Sequence, residues 1–77
     1  MTSIEGDDLH NKIISEILKI CTDGCTEQSI MEQTRLSHDL LRRTMAEILD
    51  RELIHYIEVH GMYITTDKGY VFLKKSR

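Results

Sequence analysis

An α+β fold is predicted for this chain by three observations. Apolar residues recur at helical spacing up to Cys21, two capped helical segments lie between Thr26 and Arg51, and a β-branched and aromatic stretch runs from Ile54 to Thr65. A short helix, a break of three or four residues, a longer helix, a hairpin and then Thr66-Asp67-Lys68-Gly69 give the outline of a winged helix-turn-helix. The expected architecture is a three-helix core, a two-stranded β-hairpin wing and a short C-terminal helix.

Each element has a local cause. From Asp8 onward, Leu9, Ile13, Ile14, Ile17, Leu18 and Cys21 follow the i, i+3/i+4, i+7 rule of an amphipathic helix, with Asp7 or Asp8 as the expected cap. Asp23-Gly24 should end it, because glycine accepts the left-handed conformation beyond a helix end. Thr26 can cap a second helix through about Gln33, with Glu27 and Gln28 in its first turn and Ile30 and Met31 as core candidates. After Thr34-Arg35-Leu36, Ser37 can cap a third helix to about Arg51, whose inward phase is Leu41, Met45, Ile48 and Leu49. Ile54 to Thr65, with His60-Gly61 near its centre, reads as a hairpin with a tight turn. A lone hairpin is not stable in water, so one alternating side must pack on the helices, and a short extra strand near Gly24 to Thr26 could pair with it. Thr66 can cap the last helix, which carries Tyr70, Val71, Phe72 and Leu73.

Seventy-seven residues suffice for one small domain, since a chain this short buries only about 60% of the surface its unfolded form exposes. With 40% hydrophobic and 30% charged residues and no proline-rich or repetitive linker, a single domain over 8–77 is expected, preceded by a flexible tail at 1–7. No apolar run of membrane-spanning length and no signal peptide stand out, which points to a cytoplasmic protein without a membrane partner. Cys21 and Cys25 are too few for a stapled scaffold and are expected to be reduced, Cys21 buried and Cys25 at a strand edge. Their approach across the turn leaves a redox switch as the residual reading. Neither they nor the histidines form a four-ligand set, so no metal or other cofactor is expected.

The formal net charge is −3, from 13 acidic and 10 basic residues, where phosphate binding usually shows a basic excess. The distribution is nonetheless dipolar. Glu5, Asp7 and Asp8 gather at one end, Arg35, Arg42 and Arg43 lie close together, and Lys74, Lys75 and Arg77 come last.

Over most of its length, from about Ile13, the chain resembles the small winged-helix proteins described as predicted transcriptional regulators of archaea and their viruses. The resemblance is carried by Leu36-Ser37, by Ile48-Leu49-Asp50-Arg51-Glu52-Leu53-Ile54, and by Tyr63-Ile64-Thr65-Thr66-Asp67-Lys68-Gly69-Tyr70-Val71-Phe72-Leu73. It implies a double-stranded DNA-binding transcriptional regulator, associated with the nucleoid, and since one module of this size offers only ~600 to 1,000 Å² of contact, a homodimer is expected. Glu52 stands where that family usually has glycine, so either the glutamate takes an uncomfortable conformation or the exit turns differently. Many relatives continue into a long C-terminal pairing helix, whereas only a few residues follow Leu73 here, so a short helix contact through the first and last helices is expected instead.

With Leu41, Met45 and Ile48 inward, Asp39, Arg42, Arg43, Ala46 and Asp50 point outward and His38 and Glu47 flank them. Arginine can contact guanine in the major groove, and Ser37, His38 and Arg35 can reach the backbone. The bland alternative pairs Arg42 and Arg43 with Asp39, Glu47 or Glu32 as surface ion pairs worth ~0 to 1 kcal/mol. The wing tip has no arginine or lysine, so His60 should touch backbone at most, and Lys68 could add a phosphate contact. The candidate set is therefore Arg35, Ser37, His38, Asp39, Arg42, Arg43, Glu47, His60 and Lys68. The acidic balance, the uncharged wing and the acids beside the third helix favour a rival reading: a protein-interaction winged helix docking onto a transcription-related assembly. No catalytic constellation is recognisable.

Overall fold

The computed structural model describes the backbone of residues 2–75 and the side chains of residues 9–75. The order is α1 (Thr2–Ile20), a 3-10 turn (Cys21–Asp23), α2 (Glu27–Thr34), α3 (His38–Asp50), β1 (Ile54–Ile57), β2 (Met62–Thr65) and α4 (Asp67–Lys75). This is the expected α+β winged helix-turn-helix arrangement. The backbone is already helical from Thr2, so Asp7 and Asp8 lie within α1 rather than at its cap. Met1 and the side chains of residues 2–8, on which the tail expected at 1–7 falls, lie outside the described residues, as do Ser76 and Arg77.

The core is one cluster. Ile14, Ile17, Leu18 and Cys21 from the α1 side meet Ile30 of α2, Leu41, Met45 and Ile48 of α3, and Leu53 and Ile54 at the entry to β1. The helical spacing read from the sequence selects the helical members of this cluster, and Leu9 and Leu49, which it also places inward, are exposed. Leu9 remains 61% exposed, because on α1 it lies well round the helix from the Ile14–Ile17–Cys21 face.

Caps fall where the sequence places them. Thr26 Oγ1 accepts from Ser29 N at 3.1 Å, Ser37 Oγ from Leu40 N at 3.2 Å, and Thr66 Oγ1 from Gly69 N at 3.1 Å. Beyond the 3-10 turn, Gly24 sits at φ 91° and donates to Cys21 O at 3.0 Å. Between α2 and α3 the chain turns at Arg35, which takes φ 61° and donates its N–H to Met31 O at 2.8 Å.

The wing is antiparallel, pairing Ile54 with Thr65, His55 with Ile64, Tyr56 with Tyr63 and Ile57 with Met62. The side carrying Ile54 and Thr65 is the buried one, and there the Tyr56 and Tyr63 rings lie 4.9 Å apart. Thr65 Oγ1 donates to Leu18 O at 2.6 Å, fastening the hairpin to α1. The expected extra strand is present as a single bridge: Cys25 N donates to Tyr63 O at 2.9 Å, and Tyr63 N to Cys25 O at 2.7 Å.

The cysteines correct the reduced state expected of them. Cys21 and Cys25 are joined as a disulfide, because the 3-10 turn and the positive φ of Gly24 bring their Cα atoms to 5.0 Å. That separation lies inside the range a disulfide spans.

Candidate nucleic-acid interface

The second helix of the helix-turn-helix is α3, and its amphipathicity decides which side chains a partner could meet. Leu41, Thr44, Met45 and Ile48 are buried, while Asp39, Arg43, Ala46 and Asp50 form an exposed stripe with Arg42 and Leu49 beside it. Thr44 was not foreseen on the inward face. It is tolerated there because its hydroxyl donates to Leu40 O at 2.8 Å, leaving its methyl to the core. Leu49, expected inward, is 37% exposed at the edge of the stripe.

The arginines of this surface are uncommitted. Neither Arg42 nor Arg43 lies within 4 Å of a carboxylate among the described residues, although Asp39 and Glu47 stand four positions from Arg43. The surface pairs of the bland alternative are therefore not formed. Arg35 is exposed in the turn just ahead of α3, also without an ion pair among the described residues. His38 is exposed in the first turn of α3, and Ser37 at its cap already accepts from a backbone amide but keeps a proton to donate. Arg35, Ser37, His38, Asp39, Arg42 and Arg43 thus share the turn and exposed side of one helix.

Two other candidates are held elsewhere. Glu47 accepts from His10 Nε2 at 2.8 Å and from Arg51 at 3.3 Å, which ties α3 to α1. The hydrogen bond from His10 is the main cause that holds the Glu47 carboxyl below the usual carboxylate range, with Arg51 assisting. Lys68 Nζ lies 2.6 Å from Glu52 Oε1, and that hydrogen bond lowers the Glu52 carboxyl in turn. Both side chains are engaged in ion pairs away from the exposed stripe. Nothing local in the sequence signals the Glu47 partner, which is 37 residues away.

At the wing, β1 and β2 are joined by Glu58-Val59-His60-Gly61, a longer connection than the tight turn expected, with His60 N on Ile57 O and Gly61 N on Glu58 O, each at 3.2 Å. Gly61 takes φ 61°, as its place in the turn requires. His60 is exposed at the tip, and Val59 beside it, read from the sequence as a strand residue, is 88% exposed, the most exposed large hydrophobic side chain among the described residues. Burial pushes the Tyr63 phenol up, with Glu27 and Tyr56 adding to the effect.

The arrangement defines a class: a small domain presenting a capped second helix with free arginines and a hairpin wing. The family model for winged helix-turn-helix matches residues 10–77, and the chain belongs to that family. Such domains are in general DNA-binding regulators and typically not enzymes. No curated protein and no solved structure matches the chain. Among the described residues, no helix is long and apolar enough to cross a membrane, and no group of three or more His, Cys, Asp or Glu is placed to hold a metal ion.

Proposed function

We propose that this protein is a double-stranded DNA-binding transcriptional regulator that lays α3 in the major groove. The observation that carries the reading is the pair of guanidinium groups of Arg42 and Arg43, exposed on the outward face of the second helix and without an ion pair among the described residues. Arginine presents a planar fork that matches guanine O6 and N7. Arg35, Ser37 and His38 follow the phosphate backbone, and the wing lies alongside with His60 at backbone distance. Asp39 accepts from a cytosine amino group or sets a preference against close phosphate. One such module offers only ~600 to 1,000 Å² of contact, so binding is proposed to use a homodimer formed through α1 and α4, where Leu9, Tyr70 and Val71 remain exposed.

Fluorescence anisotropy against duplex DNA at several salt concentrations tests this. Affinity should fall linearly on a log–log scale with a slope of about −0.9 per phosphate contacted. Arg42→Glu with Arg43→Glu should abolish binding and leave a cooperative melt lowered by no more than about 8 °C, because both side chains are exposed and make no ion pair among the described residues. A double variant that binds like the parent would remove α3 from the interface. Val59 at the wing tip favours one second reading, a protein-interaction module docking through the hairpin. It would be supported by salt-insensitive capture of a transcription protein that Val59→Asp abolishes.

A further inference from the structure

The wing is attached to the helical core by the buried Ile54 and Thr65, by the Thr65–Leu18 hydrogen bond and by its pairing with Cys25, and the last of these sits on a bond that can be made and broken chemically. Cys25 is the residue through which the chain before α2 pairs with β2, by two main-chain hydrogen bonds to Tyr63 at 2.9 and 2.7 Å. Cys21 directly follows α1 and is fully buried; Cys25 is 5% exposed. Their disulfide therefore joins the end of α1 to the anchoring residue of the wing across five residues of chain. Tyr63 in turn packs against Tyr56 on the facing strand, so whatever holds Cys25 also holds the inner side of the hairpin.

We propose that Cys21 and Cys25 form a reversible redox lock on the wing, closed as the disulfide and opened by a dithiol reductant. A thiolate of the reductant attacks one of the two sulfurs and breaks the Cys21–Cys25 bond, giving a mixed disulfide and releasing the other cysteine as thiolate. The reductant's second thiol then attacks the mixed disulfide. In total two electrons and two protons pass to the protein: the reductant leaves as a disulfide, and Cys21 and Cys25 end as thiols. Because burial shields both sulfurs, attack requires the Cys25–Tyr63 pairing to open first, so reduction and release of the wing are one coupled event. The inference is independent of the DNA reading.

The lock differs from a merely stabilising cross-link in where its effect appears. A cross-link that acts only by restricting the unfolded chain slows every amide that exchanges through global unfolding by the same factor. A lock changes the local opening of the residues it holds. The experiment uses the full chain, oxidised with glutathione disulfide and compared with the same sample in dithiothreitol. Alkylation in denaturant followed by intact mass should find no label on the oxidised protein and two on the reduced one. Hydrogen exchange by NMR should then show the Cys25 and Tyr63 amides exchanging about tenfold or more faster on reduction, with Leu41 and Met45 of α3 changed much less. The Cys21→Ser, Cys25→Ser variant should show the same rates with and without dithiothreitol. Two labels on the oxidised sample, equal acceleration at all amides, or no acceleration at Cys25 and Tyr63 would each overturn the proposal. The oxidised and reduced native chains carry the comparison even where the double variant does not fold.

Discussion

Glu52 and Arg35 are the only residues other than glycine with positive φ among the described residues, at 62° and 61°. A side chain in that conformation crowds the following carbonyl, a cost that glycine avoids. At Glu52 the surroundings show how the conformation is kept: Thr66 Oγ1 donates to Glu52 O at 2.6 Å, and Lys68 engages its carboxylate. Lys68 and Glu52 are both largely exposed, so their ion pair contributes little. Glu52→Gly should therefore leave the melting temperature unchanged or raise it by a few degrees, while Glu52→Val, β-branched and without the pair, should lower it. Thermal unfolding followed by circular dichroism checks this, and an equal drop in both variants would show that the ion pair rather than the backbone dominates. Glu52 thus takes a positive φ, the first of the two alternatives that the sequence leaves open.

Elements were legible in this sequence wherever a residue type has a single local use. The three side-chain caps, the apolar phase of α3 and the alternating hairpin follow from Thr26, Ser37, Thr66 and the spacing of Leu41, Met45 and Ile48. The start of α1, the partner of Glu47 and the disulfide were not, because each depends on a contact or a backbone turn that no short motif encodes. Gly69 lies between these cases: the sequence marks it, and only the packing explains it. It stands inside α4, where alanine would ordinarily be the better helix former by about 1 kcal/mol. Here a Cβ would run into the carbonyl oxygen of Leu53 and the methyl group of Thr65, that is, into the chain entering β1 and the end of β2. The close approach lets α4 fold back beside the hairpin, so Gly69→Ala should reverse the usual sign and destabilise by about 1–3 kcal/mol. For a domain of this size that is a fall in melting temperature of ~5–15 °C. An unchanged or raised melting temperature would mean that α4 can shift away from the hairpin at no cost.

For the molecule as a whole, tertiary attachments and proton binding meet at the junction of α1, α3 and α4. Glu47 receives His10 from α1 and Arg51 from beyond the end of α3, and the Arg51 guanidinium lies 5.3 Å from the centre of the Phe72 ring in α4. A carboxyl whose pKa is lower in the folded chain than the ordinary 4.5 contributes stability above that value, and the contribution is lost as pH falls through the folded pKa. A phenol raised above 10.0, as at Tyr63, acts in the opposite sense: stability is fully present below 10 and falls as pH rises through the folded pKa. Both groups are therefore in their stabilising forms between these limits, and each limb of the pH profile has a named residue. NMR titration of the Glu47 carboxyl should give a midpoint below 4.5 in the parent and one displaced upward in His10→Ala, which removes the largest cause of the shift while Arg51 remains. Thermal unfolding should lose stability below about pH 4 in the parent, and less steeply in Glu47→Gln. A midpoint indifferent to His10 would assign the shift to Arg51 and leave α1 without a polar tie to α3, so the packing of Ile14, Ile17 and Leu18 and the Thr65–Leu18 hydrogen bond would hold the first helix in place.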